Sequence, residues 1–141
     1  MMGKFFLAFL LLGISSVAEA QRSYVEGQLY WLPTQDNFQQ NIPYQGVPLE
    51  IFIYELTSPE EVEVEGNNIK KINSRLVQHS FSRPDGAFKI KVPPGQYSVF
   101  ARYKNDFFGN LKDQQGHLSP VMVKAKKSGW VTITLNYSAY H

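Results

Sequence analysis

The side chains able to do acid–base, nucleophilic or metal chemistry are few and scattered along this chain. Histidine occurs only at His79, His117 and His141, with Arg75, Arg83 and Arg102 the arginines that could accompany the first two. General acid–base catalysis needs such groups to converge so that each tunes the other's pKa, and convergence is a property of the fold, not of spacing. Neither His79-Ser80-Phe81-Ser82 nor His117-Leu118-Ser119-Pro120 offers an acidic residue at a ligand spacing, which argues against a zinc centre. No Gly-x-Ser-x-Gly elbow is present. Cysteine is absent, which removes thiol nucleophiles, thiolate metal sites and disulfides together. Glu60, Glu61, Glu63 and Glu65 form an acidic run, but without the aspartate-rich, glycine-turned loop that calcium takes. They read as a solvated loop or exposed hairpin. No catalytic residue, metal or cofactor is therefore expected. Recognition remains. Trp31, Phe107, Phe108 and His117 fall at predicted strand ends or in loops, with Tyr30 beside Trp31. Loops at the end of a scaffold commonly bind, and rings there can stack on sugar or peptide. The competing reading is that these rings plug the ends of a core.

The elements that must hold these side chains are strands. Residues 81–103 carry the clearest pattern. Arg83-Pro84-Asp85-Gly86 is a tight turn: proline presets φ, aspartate bonds the local backbone and glycine accepts positive φ. Phe88, Ile90 and Val92 then alternate with Ala87, Lys89 and Lys91, giving one apolar and one cationic face. Pro93-Pro94-Gly95 stops that strand, and Tyr97, Val99, Ala101 and Tyr103 begin a second; the spacing predicts a hairpin. Elsewhere Val25 to Trp31 alternates, with Gly27 marking a bulge or a close backbone approach. Residues 47–56 are apolar on both faces, which predicts a central strand. Residues 76–81, 121–123 and 130–140 complete a set of seven, while 32–45 and 104–120 read as loops. No sustained helical period occurs outside the first twenty residues.

Those first residues read as an export signal. Met1 to Lys4 is a short cationic start, Phe5 to Leu12 an apolar run, and Ala18-Glu19-Ala20 a peptidase site, so residues 1–20 are expected to be cut before Gln21. Phe5 to Ile14 is about half the roughly 20 residues a spanning helix needs, so no membrane span is expected in the mature chain. Residues 21–141 suit one domain. The net charge of +2 is too balanced to argue for nucleic acid. Export without cysteine points to a bacterial periplasm or exterior rather than to an animal extracellular space. The fold expected is all-β: a seven-strand Greek-key β-sandwich.

Glycine in the first strand, Gly46-Val47-Pro48 opening another, Asp85-Gly86-Ala87-Phe88, and Val92-Pro93-Pro94-Gly95-Gln96-Tyr97 together resemble the carboxypeptidase regulatory-like domain. That resemblance implies a transthyretin-like (prealbumin-like) sandwich. It implies structural roles for Asp85, Gly86, Phe88, Pro94, Gly95 and Tyr97. It implies no enzyme, since the zinc ligands of the carboxypeptidases lie in a separate, larger domain. A small hydrolase on the same fold, of the 5-hydroxyisourate hydrolase type, is the alternative; its family ends in Tyr-Arg-Gly-Ser, whereas this chain ends Tyr137-Ser138-Ala139-Tyr140-His141. An isopeptide cross-link of the pilin and adhesin kind would need a first-strand lysine opposite Asn136, and residues 23–31 contain none. The function expected is non-catalytic binding or scaffolding at the cell envelope, with an unknown protein or glycan as partner. Fold alone does not decide this.

Overall fold

The computed structural model describes residues 23–31, 45–110, 112 and 114–135. The expected export signal with its cut before Gln21, most of the 32–45 loop and the end of the last predicted strand, with Asn136, lie outside the described residues. The strands are β1 (Tyr24–Trp31), β2 (Gln45–Gly46), β3 (Glu50–Glu55), β4 (Val62–Glu65), β5 (Asn68–Ile72), β6 (Leu76–Phe81), β7 (Ala87–Lys91), β8 (Gly95–Tyr103), β9 (Asp106–Gly109), β10 (Pro120–Val123) and β11 (Ser128–Leu135). All seven predicted strands are among them, and the all-β sandwich is borne out. The four additions, β2, β4, β5 and β9, are short.

The strands divide into two sheets. The smaller has β1 at its centre: β11 runs parallel to it along Tyr24–Trp31, while β7 and β2 share its other edge, both antiparallel. The larger has the order β4-β5-β9-β8-β3-β6, with β10 also paired to β8. Alternation along each strand turns one face inward. Val25, Leu29, Phe88, Ile90, Val131, Ile133 and Leu135 from the smaller sheet meet Ile51, Ile53, Val99, Ala101, Phe108, Val121 and Val123 from the larger. Burying one such aliphatic or aromatic side chain contributes roughly 1.5–3 kcal/mol. Gly27 makes room for this layer, because a Cβ there would collide with the Phe88 ring and the Val131 carbonyl oxygen.

The hairpin predicted over 87–103 does not form. β7 belongs to the smaller sheet and β8 to the larger, so Pro93-Pro94 carries the chain across the sandwich. Two consecutive residues without N–H donors cannot extend a ladder. The apolar faces of β7 and β8 thus meet across the core instead of lying side by side. The corner is closed by the Tyr97 hydroxyl, which donates to the Pro93 carbonyl oxygen. The preceding turn is fastened as its residue types predict. Gly86 has φ of 86° and its carbonyl oxygen accepts from Leu29 N at 2.8 Å, while Asp85 Oδ1 accepts from Ala87 N at 3.0 Å.

The 104–120 loop is also shorter than expected. Lys104 and Asn105, at φ of 48° and 68°, make a two-residue turn that sends β9 back along β8. The acidic stretch is the hairpin β4–β5, turned at Gly66-Asn67. It joins the sheet through one pair, Ile69 with Phe107, and through Lys70 Nζ on the buried Asp106 carboxylate at 2.5 Å.

Candidate binding groove

The expected binding residues do not assemble into one patch. Phe108 lies in the main core at 8% exposure, and Trp31 is half-buried against the same core, its ring 4.9 Å from Tyr103 in an edge-on contact. Phe107 sits on β9, where strand alternation turns it to the opposite face from Phe108. There it joins a second cluster on the outer face of the larger sheet with Phe52, Tyr54 and Phe100. Burial raises the Tyr54 hydroxyl pKa above its ordinary value, offset in part by Arg102. His117 lines a separate crevice of about 430 Å3 between Leu56, Gln96 and Met122. Three of these four residues therefore help close a core, because each occupies a strand position whose face is covered.

Among the described residues, the histidines and arginines sit in small separate pairs, except that Arg102 stands across β3–β8 from Glu50, the partner of His79. His79 Nδ1 lies 3.0 Å from Glu50 Oε2, with its ring stacked on Phe52 at 5.8 Å. Arg75 pairs with Glu55 at 3.1 Å, Arg83 approaches Asp85 at 3.8 Å, and Arg102 donates to Asn105 at 3.1 Å. Among the described residues, no group of three or more His, Asp or Glu is placed to hold a metal ion. No helix there is long and apolar enough to cross a membrane.

Among the described residues, the most exposed rings are two that the sequence alone does not mark as a site, Phe81 at 69% and Trp130 at 64%. Both line a groove of about 380 Å3 with Glu26, Arg83 and Lys89. Pairing builds it. Trp130 stands beside Glu26 across the parallel β1–β11 ladder, and Glu26 beside Lys89 across β1–β7, so the three form one row on the outer face of the smaller sheet. Trp130 Nε1 donates to Thr132 Oγ1 at 3.0 Å, which fixes the indole and satisfies its only donor while its ring faces solvent. Lys89 spans the row, with Nζ 3.9 Å from Glu26 Oε1 and 4.4 Å from the Tyr24 ring centroid. A second groove of about 500 Å3 continues from Lys89 along β7 to Lys91, walled on its far side by Gln78 and His79 of β6. A signal for Trp130 did exist. Val131, Ile133 and Leu135 face inward, so parity alone turns Trp130 outward.

Comparison with known proteins returns no matching family model, no matching curated protein and no matching solved structure.

Proposed function

We propose that this chain is a non-catalytic, exported binding module, and that its ligand lies in the groove between Trp130 and Phe81. The observation that carries this reading is the Trp130 ring, held by Thr132 yet 64% exposed. An aromatic ring in water costs hydrophobic stabilisation, and a fixed ring loses little conformational freedom on binding. With Glu26, Arg83 and Lys89 around it, the groove offers an apolar platform beside charged hydrogen-bonding groups. That suits a glycan or peptide of the cell envelope. The resemblance to regulatory-like sandwich modules and the leader-like first twenty residues point the same way. The hydrolase alternative draws no support from Arg75, Arg83 and Arg102, whose bonded partners are Glu55, Asp85 and Asn105.

The test is an array of envelope glycans and peptides probed with the wild-type protein, Trp130→Ala and Phe81→Ala. Loss of a stacking ring at an interface centre typically costs more than about 1.4 kcal/mol, so at least about a tenfold weaker signal is expected for Trp130→Ala. Trp31→Ala serves as comparison, because that ring packs on the core. Binding unchanged in both groove variants would remove the proposed site.

A further inference from the structure

Two of the strands that pair on one side only carry opposite charge in the same alternation. Among the described residues, β7 pairs only with β1, and β4 only with β5. On β7, Lys89 and Lys91 alternate with the inward Phe88 and Ile90. On β4, Glu63 and Glu65 alternate with Val62 and Val64, and Val64 is 55% exposed.

The ladders fix which main-chain groups each edge presents. Leu29 N bonds Gly86 O and Val92 N bonds Ser23 O, so the alternation of an antiparallel pair turns Phe88 and Ile90 toward β1 and Lys89 and Lys91 away from it. Asn73 N bonds Glu61 O, so Glu61 and Glu63 turn toward β5, and the C=O of Val62 and both the N–H and C=O of Val64 turn outward, while the Val62 N–H is held by Pro59 O. The register shift in that hairpin places its extra residue on β5, and β4 itself stays regular.

We propose that β4 of one copy adds to the β7 edge of a second copy as a parallel strand. In a parallel pair, a residue that turns its main chain toward the neighbour bonds the two residues flanking the one opposite it. Lys89 then bonds Val62 and Val64 and stands opposite Glu63. Lys91 stands opposite Glu65, and Ile90 opposite Val64. Charge meets opposite charge on the outer face, and Val64 enters the groove between β6 and β7. Antiparallel addition would set valine opposite lysine. The charges also bar the wrong pairings, because two β4 edges repel, as do two β7 edges. Such a contact is head-to-tail, so assemblies grow into rings or filaments rather than stopping at a two-fold dimer. This goes beyond the ligand groove proposed above, since a single copy could bind there without assembling.

The experiment is sedimentation velocity of the purified protein from about 10 μM to about 1 mM, the range a small interface requires. It is run in about 20 mM and about 500 mM salt, between which the screening length falls from roughly 20 Å to roughly 4 Å. Weight-average mass is expected to rise at least about twofold in low salt and to return toward that of one chain in high salt. Two charge-swapped chains, Lys89→Glu/Lys91→Glu and Glu63→Lys/Glu65→Lys, are each expected to stay monomeric alone. Their mixture is expected to associate, because each then offers the edge its partner needs. These side chains are exposed, and circular dichroism confirms that the variants fold. A wild-type protein monomeric throughout in low salt, a mixture that stays monomeric, or assembly that survives both swaps would each overturn the proposal. So would a monomer that captures a free acidic peptide on β7. Trp130→Ala should assemble like the wild type; its loss of assembly would move the contact to the aromatic groove and overturn the β7 pairing, whatever the array shows.

Discussion

Tyr97 joins the corner between the sheets to the core beneath it. Its ring is buried at 6% exposure and its hydroxyl holds the Pro93 carbonyl oxygen. Burial raises the hydroxyl pKa above the ordinary tyrosine value, and the Glu55 charge adds to the shift. The folded state therefore binds this proton more tightly than the unfolded chain does. Its contribution is complete below the ordinary value of about 10 and is lost as pH rises through the higher folded value. Tyr97→Phe is expected to cost about 1 kcal/mol at neutral pH, the net worth of one hydrogen bond. Its stability should then fall less steeply than the wild type's above about pH 10. Urea titrations at pH 7 and in that alkaline range read both effects, and parallel alkaline losses would show that the hydroxyl does not titrate on unfolding. The Pro-Gly-x-Tyr spacing made this tyrosine legible as a structural residue. Its bond to Pro93 was not legible, because it depends on the chain changing sheets.

Hydrophobic alternation located the long strands because a half-covered strand must repeat every second residue. It could not say which neighbour covers them, so 87–103 reads as a hairpin until the partners of β7 and β8 are seen. β9 escaped notice because Lys104-Asn105 turns without glycine. The candidate site was less legible: rings in loops are the usual sign of recognition, whereas among the described residues the exposed ones are Trp130 on β11 and Phe81 ending β6. The β4–β5 hairpin shows what an element this lightly attached depends on. Its sheet connection is one pair, Ile69 with Phe107, with Lys70 on Asp106 beside it and Val62, Ile69 and Ile72 packed on the outer aromatic cluster. Asp106 is 3% exposed, so removing its ammonium partner leaves a carboxylate with less compensation in a dry place. Lys70→Met should thus loosen this element before it unfolds the molecule. Amide exchange across 62–72 is expected to speed at least about tenfold, a local opening easier by about 1.4 kcal/mol, while β1 and β8 keep their protection. Equal acceleration in β1 would mean that the hairpin and the core open as one unit.

At the scale of the whole molecule, the first and last described strands are neighbours. β11 runs parallel to β1 over its full length and supplies Val131, Ile133 and Leu135, each at 1% exposure or less, to the main core. At roughly 1.5–3 kcal/mol each, these three side chains contribute on the order of 5–9 kcal/mol. An entire domain is stable by only about 5–15 kcal/mol. Removing β11 also uncovers one edge of β1, the strand on which the smaller sheet is built. The sandwich therefore closes only when residues more than a hundred positions apart have met, a topology that folds slowly, in milliseconds to seconds. A chain ending at Lys127 should be unfolded even though the larger sheet is complete in sequence. Its amide proton spectrum is expected to collapse to the narrow dispersion of a random coil, and its urea transition to disappear. A truncated chain that keeps dispersed resonances for β3 and β8 would show that the larger sheet and its outer aromatic cluster stand without the smaller one. The molecule would then be a stable seven-stranded sheet with a detachable cover, and not a sandwich that depends on both layers.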